Sequence, residues 1–320
     1  MLKKNSFFFG ILLYSSFCLC NQIVFEDLAF ITNQESDLID IVDLKKQIKI
    51  SEIKAGSSPA AIDIDQKNKI VFISNPDSHN VLVYDIKNER RYFVNTGKTP
   101  MGVALSSDNK KIYVTNWYDN QLTLIDYKKN KITHKIKIGN SPAGLTVDKK
   151  NKRIFIANRK DNKITVIDEN NYKKIDDVKV ENAPFGVFSF SNNENIIVTN
   201  VQSNSISVLD SETLKLKKNI KVGEWPYQAV IDKEKNIALI TNQRGNSISI
   251  IDMQKLEKIK TINDICEYPE GINISYKQNL IVVACWFEDN IILINRDNYS
   301  LIKKIEMSGG PRAFGNFILE

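Results

Sequence analysis

Few side chains in this sequence are suited to acid–base, metal or haem chemistry. Outside a short apolar stretch at the N-terminus, the chain has two histidines, His79 and His134, and two cysteines, Cys266 and Cys285. Haem ligation requires axial histidines, and His134 falls in the pattern of an outer strand, so we do not expect a haem site. The sequence also lacks a Gly-rich phosphate loop, a nucleophile elbow and a His-Glu zinc motif. We therefore predict no catalytic residue, no metal and no cofactor.

A lactonase or hydrolase is the enzymatic alternative. A metal-dependent site of that type needs several carboxylates converging on one channel, and four glutamates fall on a suitable end of the repeat described below: Glu224, Glu267, Glu270 and Glu288. Four among 38 acidic residues are a weak signal. We expect a binding protein in preference to an enzyme.

Aromatic and basic side chains in loops give a stronger functional signal. All three Trp residues occupy loop positions at which other copies of the repeat have Glu, Asp or Gln, so packing does not require them there. We predict an exposed recognition surface. Its residues are Trp117, Tyr118, Arg159, Lys160, Phe185, Trp225, Tyr227, Arg244, Trp286, Phe287 and Arg312. In the alternative interpretation, these rings pack over neighbouring loops and plug a central channel.

A repeat of 41 to 43 residues positions these side chains. The stretch Tyr113–Tyr127, YVTNWYDNQLTLIDY, has seven copies, and in six of them an Asn is followed ten residues later by an Asp. The phased Asn residues are Asn33, Asn75, Asn116, Asn158, Asn200 and Asn242, and Cys285 takes this position in the seventh copy. A repeat of this length is typical of an array whose units bury their apolar faces by stacking on one another.

Each copy has the pattern of two β-strands joined by a tight turn. Four residues past the phased position stand side chains that tolerate positive φ, which places the turn there. These turn residues are Asp37, His79, Asn120, Asn162, Asn204, Asn246 and Asp289. We therefore interpret His79 as a turn residue and not as a metal ligand or catalytic base.

The prolines mark a second fixed position in each repeat. Seven of the eight Pro residues recur every 41 to 43 residues, usually with a small residue two positions later, which indicates a turn entering a crowded inner strand. Each unit then has four antiparallel strands, A to D, so the sequence predicts an all-β, seven-bladed β-propeller over residues 21–320. Because the chain starts in strands B, C and D and ends at Pro311–Glu320 with a strand A pattern, we predict that the last blade is closed by pairing of the two ends.

These motifs resemble a known family. The YVTN segment at Tyr113–Asn116, its variants FISN, FIAN, IVTN and LITN, and the Pro-x-Gly element are similar to the YVTN-repeat family of seven-bladed propellers. The resemblance implies a secreted or periplasmic protein whose reaction is unassigned. Related propellers include 6-phosphogluconolactonases, the haem propeller of nitrite reductase and quinoprotein amine dehydrogenase subunits, so the likeness specifies the fold and not the function.

Two departures from the repeat occur in one blade and predict a disulfide. Cys266 stands three residues before a phased Pro, where four other units have Gly, and Cys285 replaces the phased Asn. Both lie at the same end of the same blade, so we expect a Cys266–Cys285 bridge that replaces a tie made elsewhere by the phased Asn. Two buried free thiols are the alternative.

The N-terminus predicts export. Residues 1–20 combine Lys3 and Lys4 with an apolar run too short to span a bilayer, as in a secretory signal. Plain secretion to the periplasm or the extracellular space is the preferred interpretation, and lipid anchoring through Cys18 or Cys20 is the alternative. Removal of Lys3 and Lys4 with the signal sequence lowers the formal charge from +6 to +4. This small positive charge is weak evidence for nucleic-acid binding. We expect a monomer without a transmembrane segment, which binds a protein, a glycan or an envelope polymer; single-stranded nucleic acid is a further alternative.

Overall fold

The computed structural model describes residues 26–189 and 194–320, which form a ring of seven antiparallel sheets. Blade 7 contains β1 to β3, at Leu28–Asn33, Leu38–Asp43 and Ile48–Lys54. Blade 1 contains β4 to β7, at Ala61–Asp65, Ile70–Asn75, Asn80–Asp85 and Arg90–Asn95. Blade 2 contains β8 to β11, at Pro100–Leu105, Ile112–Asn116, Gln121–Asp126 and Lys131–Lys137. Blade 3 contains β12 to β15, at Pro142–Asp148, Arg153–Asn158, Lys163–Asp168 and Lys174–Lys179.

The remaining blades follow in the same order. Blade 4 contains β16 to β19, at Pro184–Ser189, Asn195–Asn200, Ser205–Asp210 and Leu216–Lys221. Blade 5 contains β20 to β23, at Pro226–Asp232, Ile237–Asn242, Ser247–Asp252 and Glu257–Ile262. Blade 6 contains β24 to β27, at Pro269–Ser275, Leu280–Cys285, Asn290–Asn295 and Leu301–Glu306. The C-terminal strands are β28, at Phe314–Gly315, and β29, at Ile318–Leu319. Short 3-10 helices lie at Tyr127–Lys129, Val201–Ser203 and Trp286–Glu288.

The YVTN motif explains why the sheets stack. Its first residue is almost completely buried in every copy, as Tyr113 is in β9, and packs between adjacent blades. Its hydroxyl residue joins two inner strands: in blade 2 the Thr115 hydroxyl accepts the amide of Gly102 at 2.8 Å and donates to the carbonyl of Ala143 in blade 3 at 2.5 Å. The motif therefore contributes both the buried core and a polar link from one blade to the next.

The predicted turn residues have a second role. All seven have positive φ, from 46° to 60°, which confirms the tight turn. Each side chain also accepts a hydrogen bond from a backbone amide in the loop that enters the next blade, as Asn120 does from Ser141 at 2.9 Å. His79 Nδ1 lies 3.3 Å from the amide of Thr99 and 2.9 Å from the carbonyl oxygen of Pro76, so it accepts from Thr99 in the tautomer without a proton on Nδ1 and donates to Pro76 in the other. These seven contacts, called turn ties below, hold every loop that precedes a strand A.

The expected tie by the phased Asn is wrong for most blades. Asn116 donates to Thr123 within its own sheet at 2.8 Å, and Asn158 donates to Thr165 in the same way. Among the phased Asn residues of the described chain, only Asn242 accepts a loop amide, that of Gly223 at 3.1 Å. In four blades the phased Asn packs against the loop Gly, where an added Cβ would lie 2.5 to 2.8 Å from the nearest atom of its side chain. The turn residue, and not the phased Asn, makes the tie.

The C-terminus closes the ring, as predicted. In blade 7, β29 pairs antiparallel with β1, Leu28 opposite Leu319, and Pro311 forms an isolated bridge with Asn33. The predicted single strand A is broken, however, because Gly315 has a φ of +126° and β28 pairs parallel with β4 of blade 1. An added Cβ at Gly315 would lie 2.2 Å from the carbonyl oxygen of Ile62, so only glycine fits this approach. The last segment thus contacts two blades.

Candidate functional site

The loops before strand A and after strand B meet at one end of the ring, here called the Trp-bearing face. Phe185 and Tyr227, at the starts of β16 and β20, point to the axis and stack with ring centroids 4.8 Å apart. Phe314 from the C-terminal segment contacts both rings, at 5.3 Å and 5.1 Å. Phe185 is 6% exposed and Tyr227 is 3% exposed. The prediction that these two rings belong to an exposed surface is therefore wrong: together with Phe314 they plug the channel.

A charged network lies beside this plug. Arg312 in blade 7 lies 3.0 Å, Nε to Oε2, from the buried carboxylate of Glu270 in blade 6. The same Nε donates to the hydroxyl of Tyr227 at 2.7 Å, and Nη1 donates to the amide oxygen of Gln34 at 2.9 Å. Gln243 of blade 5 donates to the other carboxylate oxygen of Glu270 at 2.7 Å. Four contacts thus join three consecutive blades around one buried ion pair.

Burial controls the titration of these groups. Burial raises the pKa of Glu270 to about 7, and Arg312 and the Gln243 amide only partly oppose this change. Burial also raises the pKa of the Tyr227 hydroxyl, so this phenol remains a neutral hydrogen-bonding group. The charge of the network therefore changes near neutral pH, through Glu270.

Two further arginines lie on aromatic rings without an acidic partner. The guanidinium of Arg159 lies 5.7 Å from the centroid of Phe185, at the outer side of the plug, and burial lowers its pKa. Arg244 is exposed and lies 3.5 Å from the centroid of Trp225. In residues 26–189 and 194–320, neither guanidinium has an ion pair or a side-chain hydrogen bond. The inner part of the Trp-bearing face thus presents two unpaired positive charges.

The predicted disulfide is present next to an aromatic cluster. Cys266 and Cys285 are bridged, with Cα atoms 5.9 Å apart. The bridge ties the loop carrying Tyr268 to the strand end that precedes Trp286 and Phe287. These three rings contact one another, with centroids 4.7 to 6.1 Å apart. The bond replaces the Gly–Asn contact of other blades.

The exposure of the three Trp residues lies between the two interpretations of the sequence, an exposed recognition surface and rings packed over neighbouring loops. Trp117, Trp225 and Trp286 are all half-buried. Tyr118 is 70% exposed and Phe287 is 61% exposed, and Lys160 is also exposed. The face therefore has mostly exposed rings at its rim and buried rings at its centre.

Sequence reasoning missed several members of this site. From the sequence, Glu270 is one of four glutamates expected at the surface, because nothing local indicates that it pairs with Arg312, one repeat later. Phe314 and Gln34 were not singled out. One signal was available: Gln228 stands where most repeats have Gly or Ala, and its side chain bonds the amide and the carbonyl of Gly315 at 2.9 Å each across the axis.

Residues 26–189 and 194–320 contain no group of three or more His, Cys, Asp or Glu that could hold a metal ion. Within the same ranges, no helix has the length and apolar composition needed to cross a bilayer.

Comparison with known proteins identifies the family. A family model of YNCE-like beta-propellers matches residues 26–195, more than half of the chain. The chain belongs to this family. No curated protein matches the sequence of this YNCE-like propeller significantly.

Solved structures match the fold at low identity. A protein of unknown function from Desulfotomaculum acetoxidans has a TM-score of 0.78 at 12% identity, covering 91% of this chain and 100% of its own. Hydrazine synthase from Kuenenia stuttgartiensis has a TM-score of 0.71 at 17% identity, covering 80% and 88%. Dihydro-heme d1 dehydrogenase NirN has a TM-score of 0.68 at 12% identity, covering 89% and 74%. These similarities concern the fold alone, and enzymes are among them.

Proposed function

We propose that this YNCE-like propeller is an exported, non-enzymatic binding protein that recognises acidic groups of a polymer on its Trp-bearing face. The observation that carries this proposal is Arg159, whose guanidinium is partly desolvated over Phe185 with no acidic partner in the described chain. A cation removed from water without a counter-charge is costly, so an anionic ligand group would supply the missing partner. Arg244 on Trp225 adds a second charge of the same kind.

The rim gives this site its apolar component. Exposed Tyr118 and Phe287 lie on blades 2 and 6, next in order to the blades that carry Arg159 and Arg244, and resemble the aromatic anchors of recognition surfaces. Acidic glycans and single-stranded nucleic acid combine charge with faces that stack on rings, whereas acidic protein segments supply the charge. Export makes an acidic envelope glycan or protein the preferred class. Export itself rests on the predicted signal in residues 1–20, which lie outside the described residues, and is supported by the disulfide.

Fluorescence anisotropy with labelled polymers tests the proposal. The probes are polygalacturonate, polyglutamate, a thymidine oligonucleotide and neutral dextran, each titrated with wild-type protein, Arg159→Gln and the outer-strand control Arg90→Gln. We expect at least one acidic polymer to bind more tightly than dextran, with a tenfold or greater loss in Arg159→Gln and little change in the control. Equal affinity for dextran, or equal binding by wild type and Arg159→Gln, contradicts the proposal.

A further inference from the structure

The axial channel forms a separate cavity that opens at the end opposite the Trp-bearing face. Its volume is about 680 Å³, within the range of about 300–1,000 Å³ that is usual for small-molecule sites. The plug of Phe185, Tyr227 and Phe314 closes it at one end. A molecule bound to the Trp-bearing face therefore does not have direct access to this cavity.

The wall of the cavity has an apolar side and a polar side. Phe188 of β16 is half-buried and lines the wall beside Phe314, with ring centroids 6.2 Å apart. The polar side carries Asp63, whose carboxylate accepts the amide of Leu105 in the next blade at 2.7 Å. Burial raises the pKa of this carboxyl. The position occupied by Asp63 in β4 is taken by Ala104 in β8, so a polar group is not required there by the fold.

Three lysines and one glutamate line the mouth. Lys67, Lys149 and Lys233 line the open end of the cavity, and all three are exposed. None of these lysines has an ion pair within the described ranges. Glu320 is held on the blade 1 side of the mouth by Gln66 and Lys69, so the positive charge that attracts small anions is supplied by Lys149 and Lys233 on blades 3 and 5.

We propose that the channel is a second binding site, for a small organic anion that carries an apolar ring. The ring lies against Phe188 in the closed half, the anionic group meets the lysines at the mouth, and Asp63 accepts a hydrogen bond from a donor on the ligand. This site is independent of the proposed polymer-binding face, because the two lie on opposite sides of the aromatic plug.

The fluorescent anion 8-anilinonaphthalene-1-sulfonate serves as the probe, since it combines a sulfonate, aromatic rings and an N–H donor. We expect one molecule to bind per folded chain. The double variant Lys149→Glu/Lys233→Glu should weaken binding at least tenfold, whereas Lys258→Glu on the outer strand β23 should change it less than twofold. Thr146→Trp, which places an indole in the channel, should abolish binding while the protein keeps its cooperative melting.

Three results would overturn the proposal. The folded protein could fail to bind the probe, or the double variant and the Lys258→Glu control could weaken binding equally. Binding could also be lost in Phe287→Ala and retained in the double lysine variant, which would place the probe on the Trp-bearing face. If Thr146→Trp does not fold, the charge-reversal pair still decides between these outcomes.

Discussion

The guanidinium of Arg312 and the carboxylate of Glu270 lie 3.0 Å apart at the axis, although they belong to different blades. Both groups have additional partners, Tyr227 and Gln34 for the arginine and Gln243 for the glutamate. An ion pair removed from water in this way requires its extra hydrogen bonds to offset desolvation. The pair therefore makes the centre of the Trp-bearing face sensitive to the protonation of one carboxyl.

Glu270 should make stability depend on pH in a specific direction. Its pKa in the folded protein is about 7, above the usual 4.5, so the folded state binds this proton more tightly than the unfolded state. The resulting stabilisation is fully present below about pH 4.5 and is lost as the pH rises through 7. We expect the free energy of unfolding of wild type, relative to Glu270→Gln, to fall by roughly 2–3 kcal/mol between pH 5 and pH 8.5. Parallel urea-unfolding profiles for the two proteins over this range would disprove the assignment.

The disulfide should contribute measurably to stability. The bridge joins residues 19 apart in sequence, and closing a loop of that size is worth about 3 kcal/mol in the chain-entropy model. We expect Cys266→Ser/Cys285→Ser to melt several degrees below wild type in the absence of reductant. Dithiothreitol should lower the melting temperature of wild type and leave the double variant unchanged. Recovery of both cysteines as alkylated free thiols from unreduced protein would show that the bond does not form.

At Asn120, the contribution of the turn tie to stability can be measured separately from that of the positive-φ backbone conformation. Asn120→Ala removes the acceptor for the amide of Ser141 and places an alanine at a φ of 52°. We therefore expect the free energy of unfolding to fall by about 1–2 kcal/mol. Asn120→Asp is the matched control, because Asp37 and Asp289 make the same tie in other blades. Asn120→Gly tolerates the φ but lacks the acceptor, and its denaturant midpoint should lie below that of Asn120→Asp. Identical midpoints for these last two proteins would show that the hydrogen bond contributes nothing.

Much of this architecture follows from sequence periodicity, because every blade repeats the same requirements. The positive-φ turns, the phased prolines and the disulfide each have a local signal: a turn-tolerant side chain, a fixed interval, or two departures in one unit. Glu270 lacks such a signal, since its burial depends on Arg312 of the next repeat and on ring positions at the axis. The orientation of Phe185 and Tyr227 likewise depends on Phe314, which comes from a broken strand that the regular pattern did not predict.

Removal of the C-terminal segment should destabilise the whole ring. Deleting residues 311–320 exposes the edge of β1 and also removes Phe314 from the plug, so a loss of several kcal/mol is expected, comparable to the net stability of a domain. Lys218→Ala on exposed β19 is a suitable surface control. A truncated protein whose melting temperature stays within a degree or two of wild type would contradict closure by this segment.

Two aromatic residues of the Trp-bearing face should behave differently when truncated. Trp286 is half-buried and contacts Tyr268 and Phe287, so Trp286→Ala should cost roughly 2–3 kcal/mol of stability as well as binding. Tyr118 is mostly exposed, and Tyr118→Ala should leave the free energy of unfolding within about 0.5 kcal/mol while weakening polymer binding. Equal stability losses in the two variants would contradict their different burial.

The direction of β1 determines which end of the propeller lies nearer to the N-terminal segment. This strand runs from Leu28, opposite Leu319, to Asn33 beside Pro311, so the chain enters the propeller at the channel mouth and travels towards the Trp-bearing face. A lipid attached at Cys18 or Cys20 would consequently turn the lysine-lined mouth to the bilayer surface. The arginines and exposed rings at the other end would then face outward, towards polymers that approach from beyond the membrane.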